Sequence, residues 1–251
     1  MASSPSCQPL QASLRQQNIT PKMDATKFTY QLLGHRLLSW YDSKILVDWA
    51  VKLLENGYDS ESLEILAGLD NDDTETREKY FWKSITELDI NIEKEKIDLI
   101  KFYVDNLVEE VISGSVSPKY GLQMMSEVAR KTDYNEKFMQ FFMLDEDVDY
   151  LNYSGQALLI NGLTKENVNE YILNEFKLYR KLQSGDYSEY YDKAMCNNCG
   201  RIMKPKLLTK YQLKKPFSYQ IYACEFCSST DIDSFSSQTG KEKIIAQLTK
   251  T

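Results

Sequence analysis

Cys196-Asn197-Asn198-Cys199-Gly200 and Cys224-Glu225-Phe226-Cys227-Ser228 form two Cys-x-x-Cys pairs with 24 residues between them. Four thiolates in two tight pairs fill a tetrahedral shell of about 2.3 Å radius around a zinc ion, and a closed shell leaves no position for a substrate or an activated water. The pattern predicts a structural Zn2+ site with Cys196, Cys199, Cys224 and Cys227 as ligands and no chemistry at the metal. A redox dithiol is the weaker reading, because two pairs with a hairpin-sized gap suit one metal better than one exchange reaction. Gly200 fits the first knuckle, since a residue of positive φ after the second cysteine lets backbone amides point at sulfur. Ser228 holds the equivalent place in the second.

Between the knuckles, Phe217, Tyr219, Ile221 and Ala223 alternate with Ser218, Gln220 and Tyr222. That period of two predicts a strand running into the second knuckle. Leu207 to Tyr211 is the expected partner strand and Lys214-Lys215-Pro216 the turn region. On these residues the stretch from Cys196 to Cys227 resembles the zinc-ribbon family, which implies a structural site and a partner that is nucleic acid or protein. Arg201, Lys204, Lys206, Lys210, Lys214 and Lys215 oppose only Glu225 there. A zinc ion with four thiolates subtracts two charges, which leaves a modest basic patch interleaved with Tyr211, Phe217, Tyr219 and Tyr222. Lys204, Lys206, Lys210, Lys214, Lys215, Tyr219 and Tyr222 are the candidate partner-binding residues. Ser228 to Gln238 is expected to be a polar loop and Gly240 to Leu248 a short terminal helix.

Upstream, residues 24–184 read as successive helices with start and stop signals in place. Asp42 or Ser43 is expected to cap a helix with Ile45, Leu46, Trp49, Ala50, Leu53 and Leu54 on one apolar face. Asp59 or Ser60 caps a short helix that Gly68 stops, and Asp73 or Thr74 opens the next. Ile97, Ile100, Val104, Leu107 and Val111 have the spacing of a seam packed on another helix. Ser117 followed by Pro118 opens a further helix, because proline at the first helical position costs no hydrogen bond. A helix from about Asn135 contributes Phe138, Phe141, Phe142 and Met143, and the last runs from Thr164 to Gln183. Trp49-Ala50, Gly57-Tyr58-Asp59-Ser60, Leu63 and Leu66-Ala67-Gly68-Leu69, followed by the turn from Ser113-Gly114 to Pro118, resemble a class of small uncharacterised bacterial all-helical proteins. That resemblance implies bacterial origin and a stand-alone helical unit, and carries no activity.

The expected fold class is mainly α, a multi-helix domain followed by a small C-terminal zinc-ribbon β-hairpin module. Residues 1–23 read as a disordered leader or a non-native start, 24–185 as the helical domain and 186–251 as the ribbon with a polar tail. No apolar run approaches the roughly 18 residues of a membrane span, so no membrane association is expected. Four cysteines in paired knuckles suit a reducing compartment, and the cytoplasm is the expected location.

Other constellations carry little. Leu66 to Asp73 looks like the first half of the motif that names the LAGLIDADG homing endonucleases, but no glycine follows Asp73 and the next segment is helical. Asp145, Asp147 and Asp149 start like a calcium loop, yet Tyr150 stands where the turn glycine belongs and Gln156 where the bidentate glutamate belongs. The sequence has one histidine, His35, and no glycine-rich phosphate loop. No enzyme is expected. Residues 1–185 hold 20 basic and 30 acidic side chains, a net of −10. Such a field steers a basic protein partner and repels nucleic acid. The sequence therefore predicts a non-enzymatic interaction protein, of which an immunity or regulatory protein is one form. A nucleic-acid-associated factor acting through the hairpin is the alternative.

Overall fold

Side-chain oxygens start most helices where the sequence places them. In the computed structural model, which describes residues 23–38, 41–160, 162–185 and 187–249, Ser60, Asp73, Ser117, Asn135 and Ser237 each accept a backbone N–H of the turn they open. Readings that concern residues 1–22 and Trp40 lie outside the described residues. The helices are α1 (Ala25–Arg36), α2 (Lys44–Glu55), α3 (Glu61–Ala67), α4 (Thr74–Glu87), α5 (Lys96–Ser113), α6 (Pro118–Lys131), α7 (Glu136–Ser154) and α8 (Val168–Gln183). Five short strands follow, β1 (Ala194–Cys196), β2 (Ile202–Met203), β3 (Lys206–Tyr211), β4 (Ser218–Ala223) and β5 (Ile232–Ser234), and then α9 (Gln238–Leu248). The fold is mainly α with a small C-terminal sheet region. Among the described residues no helix is long and apolar enough to cross a membrane.

The described residues divide into two compact units, one of 23–28 with Ser43–Asn91, the other of those in 29–42 and 92–249. In the first, α2, α3 and α4 close around Leu46, Trp49, Leu53, Leu63, Leu66 and Phe81, all nearly inaccessible to water. Trp49 and Phe81 meet edge to face with centroids 4.9 Å apart. Ser43 does not cap α2 with its side chain. Its Oγ instead accepts Arg77 Nη1 at 2.8 Å, while the same guanidinium donates to Leu69 O at 2.9 Å and Asp70 O at 2.6 Å. The α3–α4 turn, which contains the endonuclease-like residues, is thus a helix stop whose carbonyls are bonded by a buried arginine.

In the second unit α5, α6, α7 and α8 enclose Val104, Leu107, Leu122, Met125, Phe141, Leu144, Ile172 and Phe176. The α5 seam is buried at Ile100, Val104, Leu107 and Val111, but Ile97 in the first turn is exposed. Asp147 turns into the fold. Its buried carboxylate accepts the backbone N–H groups of Leu158, Leu159 and Ile160 and so folds the connection after α7 back onto that helix. Residues 164–167 form a turn, and α8 starts only at Val168, because Asn167 bonds back to Thr164 N and Gly162 O. His35 stacks on Tyr103 with centroids 5.0 Å apart and ring planes 7° apart.

Packing within this unit continues past Gly185. Helix α9 lies on α8, where the Glu175 carboxylate and the Lys241 ammonium pair with side-chain exposures of 3% and 6%. Gln238 Nε2 adds bonds to Tyr171 O at 2.8 Å and Glu175 Oε2 at 3.1 Å. On its other side α9 abuts β5 so closely that a Cβ on Gly240 would stand 1.9 Å from Ser234 O. Glycine is required there by contact. The segment expected to be a polar loop, Ser228–Gln238, thus contains β5 and the buried Phe235, which Tyr191 meets edge to face at 5.7 Å.

Two predictions follow from these buried polar groups. Lys241→Met strands a buried carboxylate and is expected to cost about 3–5 kcal/mol, read as a lower urea midpoint, whereas Glu175→Gln combined with Lys241→Met recovers part of it. An unchanged midpoint in the single variant would show that the pair contributes nothing. His35 has a buried Nε2 without a partner among the described residues, and burial pushes its pKa below the ordinary value. The unfolded chain therefore takes up this proton near pH 6.5 while the folded chain still resists it, so stability is full above about 6.5 and falls as the pH drops. In His35→Phe the fall between about pH 6.5 and 5 is expected to be shallower than in the parent; parallel curves would refute the assignment.

Candidate metal centre

Two knuckles of the same backbone geometry carry the cysteines. In the first, Cys196 N–H donates to Arg201 O at 3.0 Å and Gly200 N–H to Cys196 O at 2.8 Å; in the second, Cys224 N–H donates to Ser229 O at 2.8 Å and Ser228 N–H to Cys224 O at 2.9 Å. The repeat extends to the left-handed residue, Gly200 at φ +69° and Ser228 at φ +58°. Strand β1 leads into the first knuckle, held antiparallel to β2 and β5 with Ala194 opposite Met203 and Ser234. Strand β4 leads into the second, paired with β3 from Lys206–Ala223 to Tyr211–Ser218. The period of two therefore produced the predicted hairpin, while the three-residue strands β1 and β5 carried no comparable signal.

The four sulfurs converge. All four lie within 4.8 Å of one another, with Cys196 and Cys227 Sγ 3.6 Å apart and Cys199 and Cys224 Sγ 3.7 Å apart. A tetrahedron of thiolates about 2.3 Å from its centre has edges of about 3.8 Å, so the cluster fits a single tetrahedral ion with no ligand position left over. Cys196 and Cys224 are buried while Cys199 and Cys227 face water. At Cys227 the Ser229 backbone N–H and then the Asn198 amide, 3.6 Å away, favour the thiolate and hold its pKa down at about 6. At Cys199 the Arg201 backbone N–H also favours the thiolate, but burial and the neighbouring sulfurs outweigh it and raise the thiol to about 11. Sulfurs this close resist carrying several negative charges, and a divalent cation removes that resistance.

A layer of polar contacts ties the first knuckle to α9. Asn197 Nδ2 donates to Asp231 Oδ1 at 2.8 Å and to Asp233 Oδ2 at 2.9 Å, and Lys243 Nζ donates to Asn197 Oδ1 at 2.7 Å. The Lys243 ammonium and then Asn197 hold the Asp233 carboxyl below the usual range. Sequence reading passed over Asn197, Asp231, Asp233 and Lys243, since each resembles an ordinary solvated residue. Arg201 stacks on Phe226 with its guanidinium carbon 4.6 Å from the ring centre.

The candidate contact residues separate by position. Lys204 is paired with Asp192 at 2.5 Å and Lys206 donates to Glu225 O at 3.2 Å, both at the root of the hairpin. Lys210, Lys214 and Lys215 lie further out. Tyr219 and Tyr222 are both exposed but stand on opposite faces, because Tyr219 is opposite Lys210 and Tyr222 opposite Leu207. No family model, curated protein or solved structure matches this chain.

Gly200→Ala tests the knuckle geometry. A Cβ there meets nothing within 4 Å, so the cost is that of the left-handed backbone alone, about 1–2 kcal/mol. An ion held by the four sulfurs is expected to pass to a competing chelator at roughly five- to thirtyfold lower chelator concentration. Unaltered competition would mean that the knuckle tolerates a side chain as Ser228 does.

Proposed function

We propose that the cluster holds one structural zinc ion and that the protein is a non-enzymatic interaction protein. The observation that carries this reading is the closed set of four converging sulfurs at the root of an exposed hairpin. Thiolates select zinc or iron from the divalent ions, and a filled tetrahedron without a redox task is the zinc case. The resulting module is a zinc ribbon in which the metal substitutes for the hydrophobic core that so few strands cannot build. Reduced thiolates suit the cytoplasm.

A non-catalytic role is supported by the use of the reactive side chains. His35 is stacked on Tyr103, and Cys196, Cys199, Cys224 and Cys227 are all in the cluster. Recognition is supported by charge. Residues 43–91 hold 12 acidic and 5 basic side chains, which steers a basic protein toward the first unit, as in an immunity or regulatory protein. The hairpin is a second contact surface.

Metal analysis of the reduced protein is expected to find about one zinc per chain, with Cys199→Ser or Cys224→Ser releasing it. Iron, or no metal at all, would overturn the zinc reading. The partner is tested by cross-linking in the native cell, where a basic protein held at low salt and lost at about 0.5 M is expected. A chain that remains uncross-linked would overturn the recognition reading.

A further inference from the structure

The β3–β4 hairpin is an arm. Six residues per strand span about 20 Å, and both faces are largely open to water, with Tyr211 at 84% exposure and Leu213 at 98%. Such a two-stranded ribbon is marginal by itself; here its ends are fixed by the buried Met203 and by Ala223 leading into Cys224. A long exposed arm of Leu, Tyr and Phe calls for an occupant.

Its charge narrows the choice. From Lys206 to Ala223 there are four lysines and no acidic residue. Lys210, Lys214 and Lys215 have no ion pair among the described residues. The metal–thiolate charge and the Lys204–Asp192 pair sit at the root, so the tip is more than two Debye lengths of about 8 Å from them at physiological salt. The outer half of the arm thus presents uncompensated positive charge whatever the balance of the whole chain.

Register gives the arm a face. Lys210 stands opposite Tyr219, and Gln212 N–H to Phe217 O at 2.9 Å extends the ladder one pair further. Phe217 and Tyr219, two residues apart, therefore share a face about 7 Å apart along the strand, flanked by Lys210 and the tip lysines. Rings at that spacing each accept one base of an extended strand, and lysines beside them reach its phosphates.

We infer that this face of the arm binds single-stranded nucleic acid, with bases on Phe217 and Tyr219 and phosphates on Lys210, Lys214 and Lys215. The inference rests on the reading that the arm is a contact surface ordered by zinc. Ring faces and phosphates are common to RNA and DNA, so both strands bind alike. Duplex DNA, with its bases stacked, offers no base faces. A protein groove is the competing occupant, and Leu213 at the tip is the residue that such a groove would hold.

The test is fluorescence anisotropy with the full zinc-loaded chain and labelled oligo-dT and oligo-rU of about 20 nucleotides, beside a mixed duplex. Both single strands are expected to bind more tightly than the duplex and within threefold of each other, losing about tenfold between 0.05 and 0.15 M salt for three phosphate contacts. Exchange of Lys210, Lys214 and Lys215 for Gln is expected to abolish that salt dependence. Phe217→Ala or Tyr219→Ala is expected to weaken binding at least about fivefold with the salt slope retained. Leu213→Ser is expected to change affinity less than twofold. These side chains are exposed, and zinc content with far-ultraviolet circular dichroism shows that each variant is folded. No binding up to about 0.1 mM, a preference for duplex, or indifference to the lysine and ring variants would overturn the inference; loss of binding in Leu213→Ser would transfer the arm to protein recognition. Failure with zinc present refutes this inference alone, whereas absence of zinc refutes the reading beneath it.

Discussion

A carboxylate and an ammonium withdrawn from water join the last helix to the rest of the second unit. Glu175 belongs to a helix of the four-helix core and Lys241 to the last helix, so their contact joins elements that are 66 residues apart. Either charge left alone at that depth costs about 3–5 kcal/mol, so the pair favours the docking of α9 with both partners in place. Once α9 is placed, Gly240 presses on β5, β5 pairs with β1, and β1 delivers the first two sulfurs. The cysteine cluster is thus linked through α9 and two strands to a salt bridge in which it takes no part.

Local signals in the chain were strong and long-range ones weak. Ser60, Asp73, Ser117 and Asn135 cap helices because each bonds an N–H two or three residues ahead, a relation visible in any short window. Ser43 fits the same pattern and fails, since a buried arginine 34 residues away takes its oxygen. The cysteine spacing announced the cluster, and alternation announced β4, with β3 as its expected partner. Strands β1 and β5 were hidden because three residues carry no periodicity and their mutual pairing spans about 40 residues of chain. Lys241 and Glu175 were hidden for another reason: charged residues are rarely buried, so nothing in the sequence marked either as part of a core.

The two ends of the cysteine module obey opposite constraints. At the knuckles every backbone angle is dictated, down to a left-handed serine where glycine would be easier. Along the arm only the pairing is dictated, and side chains that would normally seek a core stand in water. A rigid root with a free blade lets sequence change at the contact surface without disturbing the fold. The separation of the two lysine groups, bonded at the root and without an ion pair toward the tip among the described residues, follows the same line.

The order in which these partners are synthesised has its own consequence. At roughly 5–20 residues per second, the ribosome needs about 3–13 s to travel from Glu175 to Lys241. Until Lys241 is made, the Glu175 carboxylate lacks the ammonium it meets in the folded chain. A chain cut before α9 therefore lacks the ammonium that meets Glu175 and leaves that face of α8 uncovered.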